Sequence, residues 1–408
     1  MSEAPAPAVA PLSMMQVLLC GAAIVTLSMG IRHGFGLWLQ PITMERGWPR
    51  ETFAFAMAVQ NLTWGVAGLF AGMLADRLGA FRVLLIGSVL YAGGLALMAF
   101  AQTAWTFLAS AGALIGIAQA GTTYAVVYGV IGRNVPARKR SWAMGVAAAA
   151  GSFGQFLMVP VENGLIGGLG WQGALLALGA AALLIVPLAF GLREPGLAGG
   201  QQRPQQSIGA ALREAFGYRS FQLLMAGYFV CGFQVVFIGV HLPSYLKDHG
   251  FEPAVATTAL ALIGLFNVFG TYAAGSLGER LPKRYLLSAI YALRAIVITT
   301  FLALPLTPWS VYLFAAVMGL LWLSTVPLTS ALVAHIFGVQ YLSTLGGFVF
   351  LSHQVGSFLG VWLGGLLYDA SGSYDIVWWI AIALGVFAAA INLPVRERAI
   401  ERLAPMPA

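Results

Sequence analysis

The chain has 408 residues, of which 59% are apolar and 9% charged, where a soluble domain carries about 25% charged residues. That is too much hydrophobic surface for one water-soluble core, and apolar stretches of about 20 residues, each long enough to cross a bilayer as a helix, recur along it. The formal net charge of +7 would suit a nucleic-acid partner, but the basic residues are distributed along the chain in the manner of a membrane protein.

In chain order, residues 1–13 are rich in Ala and Pro and lack the basic start and cleavage site of a signal peptide, so they read as a disordered cytoplasmic tail. Hydropathy predicts twelve spans near 14–40, 52–74, 82–101, 105–131, 141–164, 171–192, 221–246, 254–277, 284–304, 309–335, 342–368 and 375–394. The longest polar interval, Arg193 to Arg219, divides them six and six. Its second part, Ser207 to Phe216, has Ile208, Ala211, Leu212 and Ala215 at helical spacing, which fits a short helix on the inner membrane surface or a plain solvated linker. The expected organisation is a six-helix unit over 14–195, a linker over 196–219, a second six-helix unit over 220–395 and a cytoplasmic tail over 396–408.

With the N-terminus inside, the outer loops hold only Arg46, Arg50 and Lys247, while Arg32 and Arg294 are embedded. Every other Lys and Arg falls in a cytoplasmic segment, as the positive-inside rule requires. This distribution accounts for the basic charge without nucleic acid. It predicts a multi-pass protein of the cell (inner) membrane with both termini in the cytoplasm. Cys20 and Cys231 lie in separate spans, so no disulfide framework is implied. The 50 glycines suit close helix approach in lipid.

Arg32, in Ser28-Met29-Gly30-Ile31-Arg32-His33-Gly34-Phe35-Gly36, is the costliest residue of the first span. A guanidinium at bilayer depth costs at least roughly 2.5–3.5 kcal/mol unless a partner or a water-lined cavity meets it. Of the 14 Asp and Glu residues none reads as mid-membrane; Glu162 comes nearest, at the outer end of a span. The counter-ion is therefore expected to arrive from outside, as substrate. The alternative is that Arg32 bonds backbone carbonyls or snorkels from a helix end.

An internal repeat supports the two halves: Arg32 and Pro41 correspond to Gln234 and Pro243, and Gly72, Asp76 and Arg77 to Gly275, Glu279 and Arg280. Duplicated six-helix halves mark secondary transporters with a substrate site at mid-membrane. The loop Gly72-Met73-Leu74-Ala75-Asp76-Arg77-Leu78-Gly79-Ala80-Phe81-Arg82 resembles the signature between helices two and three of the major facilitator superfamily. There Gly72 would allow close helix packing, and Asp76 would pair with cytoplasmic arginines in one conformation and release them in the other. Gly79 and Arg82 complete the first copy, and Glu279-Arg280 is retained in the second. The resemblance implies an all-α polytopic membrane protein, with twelve helices in two pseudo-symmetric six-helix bundles. Within that superfamily, Gly30 to Leu37 and Phe350 to Gly356 resemble the branch of monocarboxylate porters and the oxalate/formate antiporter. The chain departs from it where porters carry Asp and Arg, having Asn267 and Thr271, and where the oxalate exchanger has a lysine, having His353.

The resemblance also implies that helices 1, 4, 7 and 10 line the cavity, with 2, 5, 8 and 11 flanking it. On that basis Arg32, Asn61, Tyr124, Tyr128, Gln155, Gln234, Asn267, His353 and Gln354 are the substrate-binding candidates. Tyr124 and Tyr128 share a helix face. A guanidinium fork matches a carboxylate bidentately. His33, about 100° around the helix from Arg32, and His353 are the proton-carrier candidates, because histidine titrates near physiological pH. Arg294, in a peripheral helix, is expected to bond carbonyls or helix ends of helices eight and ten. His241 and His335 read as boundary residues, and Gly145, Gly151 and Gly154 with Pro160 as packing and bending positions.

No phosphate loop, metal-ligand spacing or dinucleotide fold is present in the sequence, so no ATP-driven pump, cofactor or enzyme is expected. The reading is a monomeric secondary carrier of a small organic anion, expected to be a monocarboxylate, working by alternating access with proton symport or anion exchange. Two alternatives stand beside it. One is an exporter of amphiphilic drugs or metabolites, suited by 13 Met, 11 Trp and 25 Phe but disfavoured by the lack of an embedded carboxylate. The other is a non-transporting membrane sensor.

Overall fold

The computed structural model describes residues 12–194, 207–338 and 342–400. Most of the expected tails and the linker stretch 196–206 lie outside the described residues. Every described regular element is helical. Eleven apolar helical stretches are long enough to cross a bilayer, and the longest holds two crossings. In it Gly170 leaves the helical conformation (φ 68°, ψ 168°) and turns the chain, a geometry that suits a residue without Cβ.

Numbered in chain order, span 1 is Met14–Arg46, span 2 Arg50–Ala75, span 3 Ala80–Phe100 and span 4 Ala104–Asn134. Spans 5 and 6 are the two parts of Arg138–Phe190. Span 7 is Arg219–Asp248, span 8 Pro253–Gly278, span 9 Lys283–Ala303, span 10 Pro308–Phe337, span 11 Thr344–Ser371 and span 12 Asp375–Asn392. A short helix, Ile208–Gly217, precedes span 7, and the Ser207 hydroxyl caps it by accepting from the Ala210 amide.

Several spans are interrupted near their middles. Span 1 tightens to a 3₁₀ turn over Gly34–Trp38 before resuming as Leu39–Arg46. Span 4 breaks at Thr123. Span 10 ends its first helix at Leu321 and restarts at Thr325. Such breaks leave backbone groups that side chains must satisfy, and they recur in transporters where a site lies at mid-membrane.

The halves repeat one another in packing as well as in sequence. A Cβ on Gly154 of span 5 would strike the Thr26 carbonyl of span 1, and one on Gly356 of span 11 would strike the Phe229 carbonyl of span 7. Each half therefore docks a lining span on a flanking one through the same small residue. Large exposed apolar side chains, among them Phe70, Leu97 and Leu313, form the outer surface.

The two halves meet through spans 2 and 11, through spans 5 and 8, and through the 3₁₀ turn of span 1 against span 7. At the end away from the arginine-rich loops they are locked together. Arg50 holds Asp248 in a two-point bond (2.6 Å at each of two oxygens), and Gln40 adds a third contact to Asp248 (3.0 Å). Asp369 of span 11 accepts from the backbone amides of Arg50 and Glu51 at the start of span 2. At the arginine-rich end, Tyr124–Asn134 of span 4 and Thr325–Phe337 of span 10 each pack on their own half. Among the described residues, the charged lock between the halves lies at the end away from the arginine-rich loops.

Candidate functional site

Arg32 is placed by its own helix. A Cβ on Gly30 would run into Met158 and the Gly154 carbonyl, so span 1 presses this face on span 5 and directs Arg32 towards span 2. There its Nη2 donates to Asn61 Oδ1 (2.5 Å), and the guanidinium lies 4.7 Å from the centroid of Trp64. The Asn61 amide nitrogen donates to the Met57 carbonyl (2.8 Å), which keeps its oxygen turned to the arginine. Arg32 Nε is buried without a partner, and no described ion pair involves Arg32.

The second half completes the wall. Trp64 meets Phe350 edge to face at 5.1 Å, Phe350 stacks on His353 at 6.0 Å, and His353 lies 5.0 Å from Tyr228. His353 Nδ1 is 3.0 Å from Gln354 Oε1 and 3.3 Å from the Ser357 hydroxyl. Gln354 packs against Gly65 of span 2, and its Nε2 is also buried without a partner. Two donors lacking acceptors, one from each half, therefore flank the same turns of span 2. Buried donors without acceptors are rare, and together they suit an anion.

Other expected residues go elsewhere. Gln234 is fully buried and turns from the cavity, donating to Ala381 (2.8 Å) and accepting from Arg294 (3.3 Å). This corrects its place among the cavity candidates: the face of span 7 that bears it packs inside its own bundle. Gln155 and Asn267 bind each other (3.3 Å), and Asn267 also donates to Ser152 (3.0 Å). Asn267 further accepts from the Leu323 amide at the break of span 10. These two form the seam between spans 5 and 8. Tyr124 and Tyr128 are half-buried neighbours on span 4 (5.4 Å between rings), with the Tyr124 hydroxyl against Gly151. His33 donates from Nε2 towards the Leu260 carbonyl (3.2 Å) and meets Trp322 edge-on, so it ties the halves together.

Arg294 donates to the Leu321 and Trp322 carbonyls (2.7 and 2.5 Å), the groups freed where span 10 breaks. His241 bonds the Val361 carbonyl (2.8 Å) and His335 is exposed. In the gating loops, Arg77, Arg82, Glu279 and Arg280 are exposed, and the Asp76 side chain lies outside what is described. Gly79 takes φ 86° at the turn between spans 2 and 3. A Cβ on Gly72 would meet nothing described within 4 Å, so the close packing expected there is not made among the described residues; the same holds for Gly145.

The expectation that no carboxylate is embedded is overturned. Glu162 is fully buried, packed against Gly34 and accepting from the Trp38 indole (3.3 Å). Hydropathy put it at a span end because span 5 runs on towards Gly170. The sequence reading also missed the Arg50–Asp248 lock. Its one signal was that Arg50 and Lys247-Asp248 are among the few charges of the outer loops.

A bundle of twelve spans in two repeated halves, several of them interrupted near mid-membrane, with an arginine lacking an acidic partner at their seam, is the architecture of a membrane carrier. The model of the Major Facilitator Superfamily matches residues 18–360 and 274–408, and the chain belongs to that family of multi-pass transporters. It is 24% identical over 383 residues to an uncharacterized MFS-type transporter, YcxA, of Bacillus subtilis, covering 89% of this chain and 90% of that one. It is 27% identical over 365 residues to monocarboxylate transporter 11 of Mus musculus (86% and 80% covered) and 24% identical over 364 residues to monocarboxylate transporter 13 of Bos taurus (87% and 83%). Among solved structures it resembles a bacterial homolog of the human lysosomal transporter Spinster, inward-facing and unoccupied. That match has a TM-score of 0.78 at 17% identity, over 94% of this chain and 96% of that one, and it bears on the fold.

Proposed function

We propose that the protein carries a small organic anion, of the monocarboxylate class, across the cell (inner) membrane by alternating access. In this reading both termini are cytoplasmic and the working unit is a monomer. The observation that carries the proposal is Arg32: it is held by Asn61 through one nitrogen, keeps a buried Nε without an acceptor, and has no acid as a partner. A carboxylate entering from the arginine-rich end would accept from the guanidinium beside the Trp64 ring, and Gln354 Nε2 would supply a donor from the second half. The monocarboxylate transporters among the relatives favour the same class. Coupling is by proton symport or by exchange for a second anion.

The buried Glu162 removes the absence of an embedded carboxylate as an argument against an amphiphile exporter. The unpaired donors of Arg32 and Gln354 weigh for an anion instead. Purified protein in liposomes, given labelled monocarboxylates with and without an inward proton gradient, tests the proposal. Saturable uptake of a carboxylate that is lost in Arg32→Ala is expected. Transport of no carboxylate, or normal transport by Arg32→Ala, would overturn it.

A further inference from the structure

Glu162 has no part in the anion site, yet its setting is specific. It is fully buried. One carboxyl oxygen, Oε2, accepts from the Trp38 indole at 3.3 Å, and the other, Oε1, is buried with no partner. A side chain on Gly34 would collide with the carboxyl itself, so the 3₁₀ turn of span 1 makes a cradle closed over it. On its other face the same turn presses on span 7, where a Cβ on Gly36 would strike the Gly239 and Val240 carbonyls. The carboxyl thus lies directly behind the contact that shuts this end of the molecule.

The surrounding groups do not neutralise a charge there. From span 1, Arg32 and His33 immediately precede Gly34 but bond Asn61 and Leu260. From span 3, Tyr91 is the titratable group within electrostatic reach, and its hydroxyl donates to the Ser28 carbonyl (3.2 Å). From span 7, His241 is bonded to the Val361 carbonyl and Tyr374. No described ion pair includes Glu162. An ionised carboxylate with one donor and no solvent costs several kcal/mol, whereas a neutral carboxyl is accommodated.

We infer that Glu162 is a proton-binding site that controls closure of the end opposite the arginine-rich loops. With the proton bound, the cradle closes and spans 1 and 7 meet. When that end opens, the 3₁₀ turn withdraws from span 7, water reaches the carboxyl, and the proton is released to that side. The inference rests on the alternating-access part of the proposed function and not on the substrate assignment.

The test reads that end directly, without substrate. Spin labels at Trp105→Cys and Trp309→Cys, two exposed positions at the starts of spans 4 and 10, are measured by pulsed dipolar spectroscopy in a Cys20→Ser, Cys231→Ser background. As the pH is raised from acid to alkaline, the long-distance population should rise roughly tenfold. In Glu162→Gln the short distance should persist at every pH. Trp38→Phe removes the donor that favours the ionised form, so its transition should move to higher pH; this second variant keeps the test open if Glu162→Gln fails to fold. A pH-independent distance in the parent protein, or an unaltered transition in Glu162→Gln or in Trp38→Phe, would overturn the inference. None of these outcomes depends on whether a carboxylate is carried: Arg32→Ala, which removes the proposed anion site, should keep the pH-dependent distances of the parent protein.

Discussion

Arg32 and Arg294 are both arginines inside spans, and the two halves treat them in opposite ways. In the second half, Arg294 is fully buried and meets the carbonyls of Leu321 and Trp322, the Gln234 amide oxygen and the Cys231 sulfur. It holds together the break in span 10. In the first half, Arg32 is half-buried, shares one nitrogen with Asn61 and leaves Nε unbonded. A buried guanidinium with its donors matched is structural, and one with donors in excess is poised for a ligand. The difference lies in what surrounds each: a broken helix supplies acceptors to Arg294, whereas continuous span 2 offers Arg32 only an amide and an aromatic face.

The sharpest way to break this comparison is to remove each charge in turn. Arg294→Met should leave the span 10 carbonyls unsatisfied and cost about 3–5 kcal/mol of stability, seen as aggregation or early unfolding in a detergent melt. Arg32→Ala should melt as the parent does while carboxylate uptake falls about 100-fold, equivalent to about 2.7 kcal/mol. Arg32→Lys should recover only part of it, because an ammonium lacks the planar fork. If Arg32→Ala unfolds and Arg294→Met merely stops transport, the assignment of roles is reversed.

Asn61 sharpens the contrast. Asn61→Asp would give Arg32 the internal counter-ion it lacks, so uptake should fall more than tenfold while stability is kept or raised. Asn61→Ala should weaken apparent affinity by about tenfold, roughly the worth of one charged hydrogen bond. The smallest effect is expected at the closed end. Arg50→Ala loses the Asp248 contact and its stacking on Tyr368 (3.8 Å), and it should shift the conformational balance by about 1 kcal/mol. A modest rise in labelling at that end, with uptake slowed a few-fold, would show it.

Much of this was legible in the chain. The spans, the halves and their repeat follow from apolar length and periodicity, which local sequence dictates because lipid leaves the backbone no partner but its own helix. Arg32 stood out for the same reason, since charge in such a stretch is costly wherever the helix points. Helix rotation was not legible. Gln234 and Asn61 look equivalent as polar residues in spans, yet one faces Arg294 and the other Arg32, because glycine contacts between spans set which face turns inward.

By itself, then, the sequence determined a membrane-embedded, duplicated helical carrier with an arginine that lacks a counter-ion. Only the tertiary structure decided which arginine is satisfied, that Glu162 is sealed behind the 3₁₀ turn of span 1, and which end is shut by Arg50 and Asp248. Hydrophobic length is a one-dimensional property. The satisfaction of a buried polar atom depends on partners on other spans, from 27 residues away for Arg294 and Leu321 to 198 for Arg50 and Asp248, and packing alone brings them together.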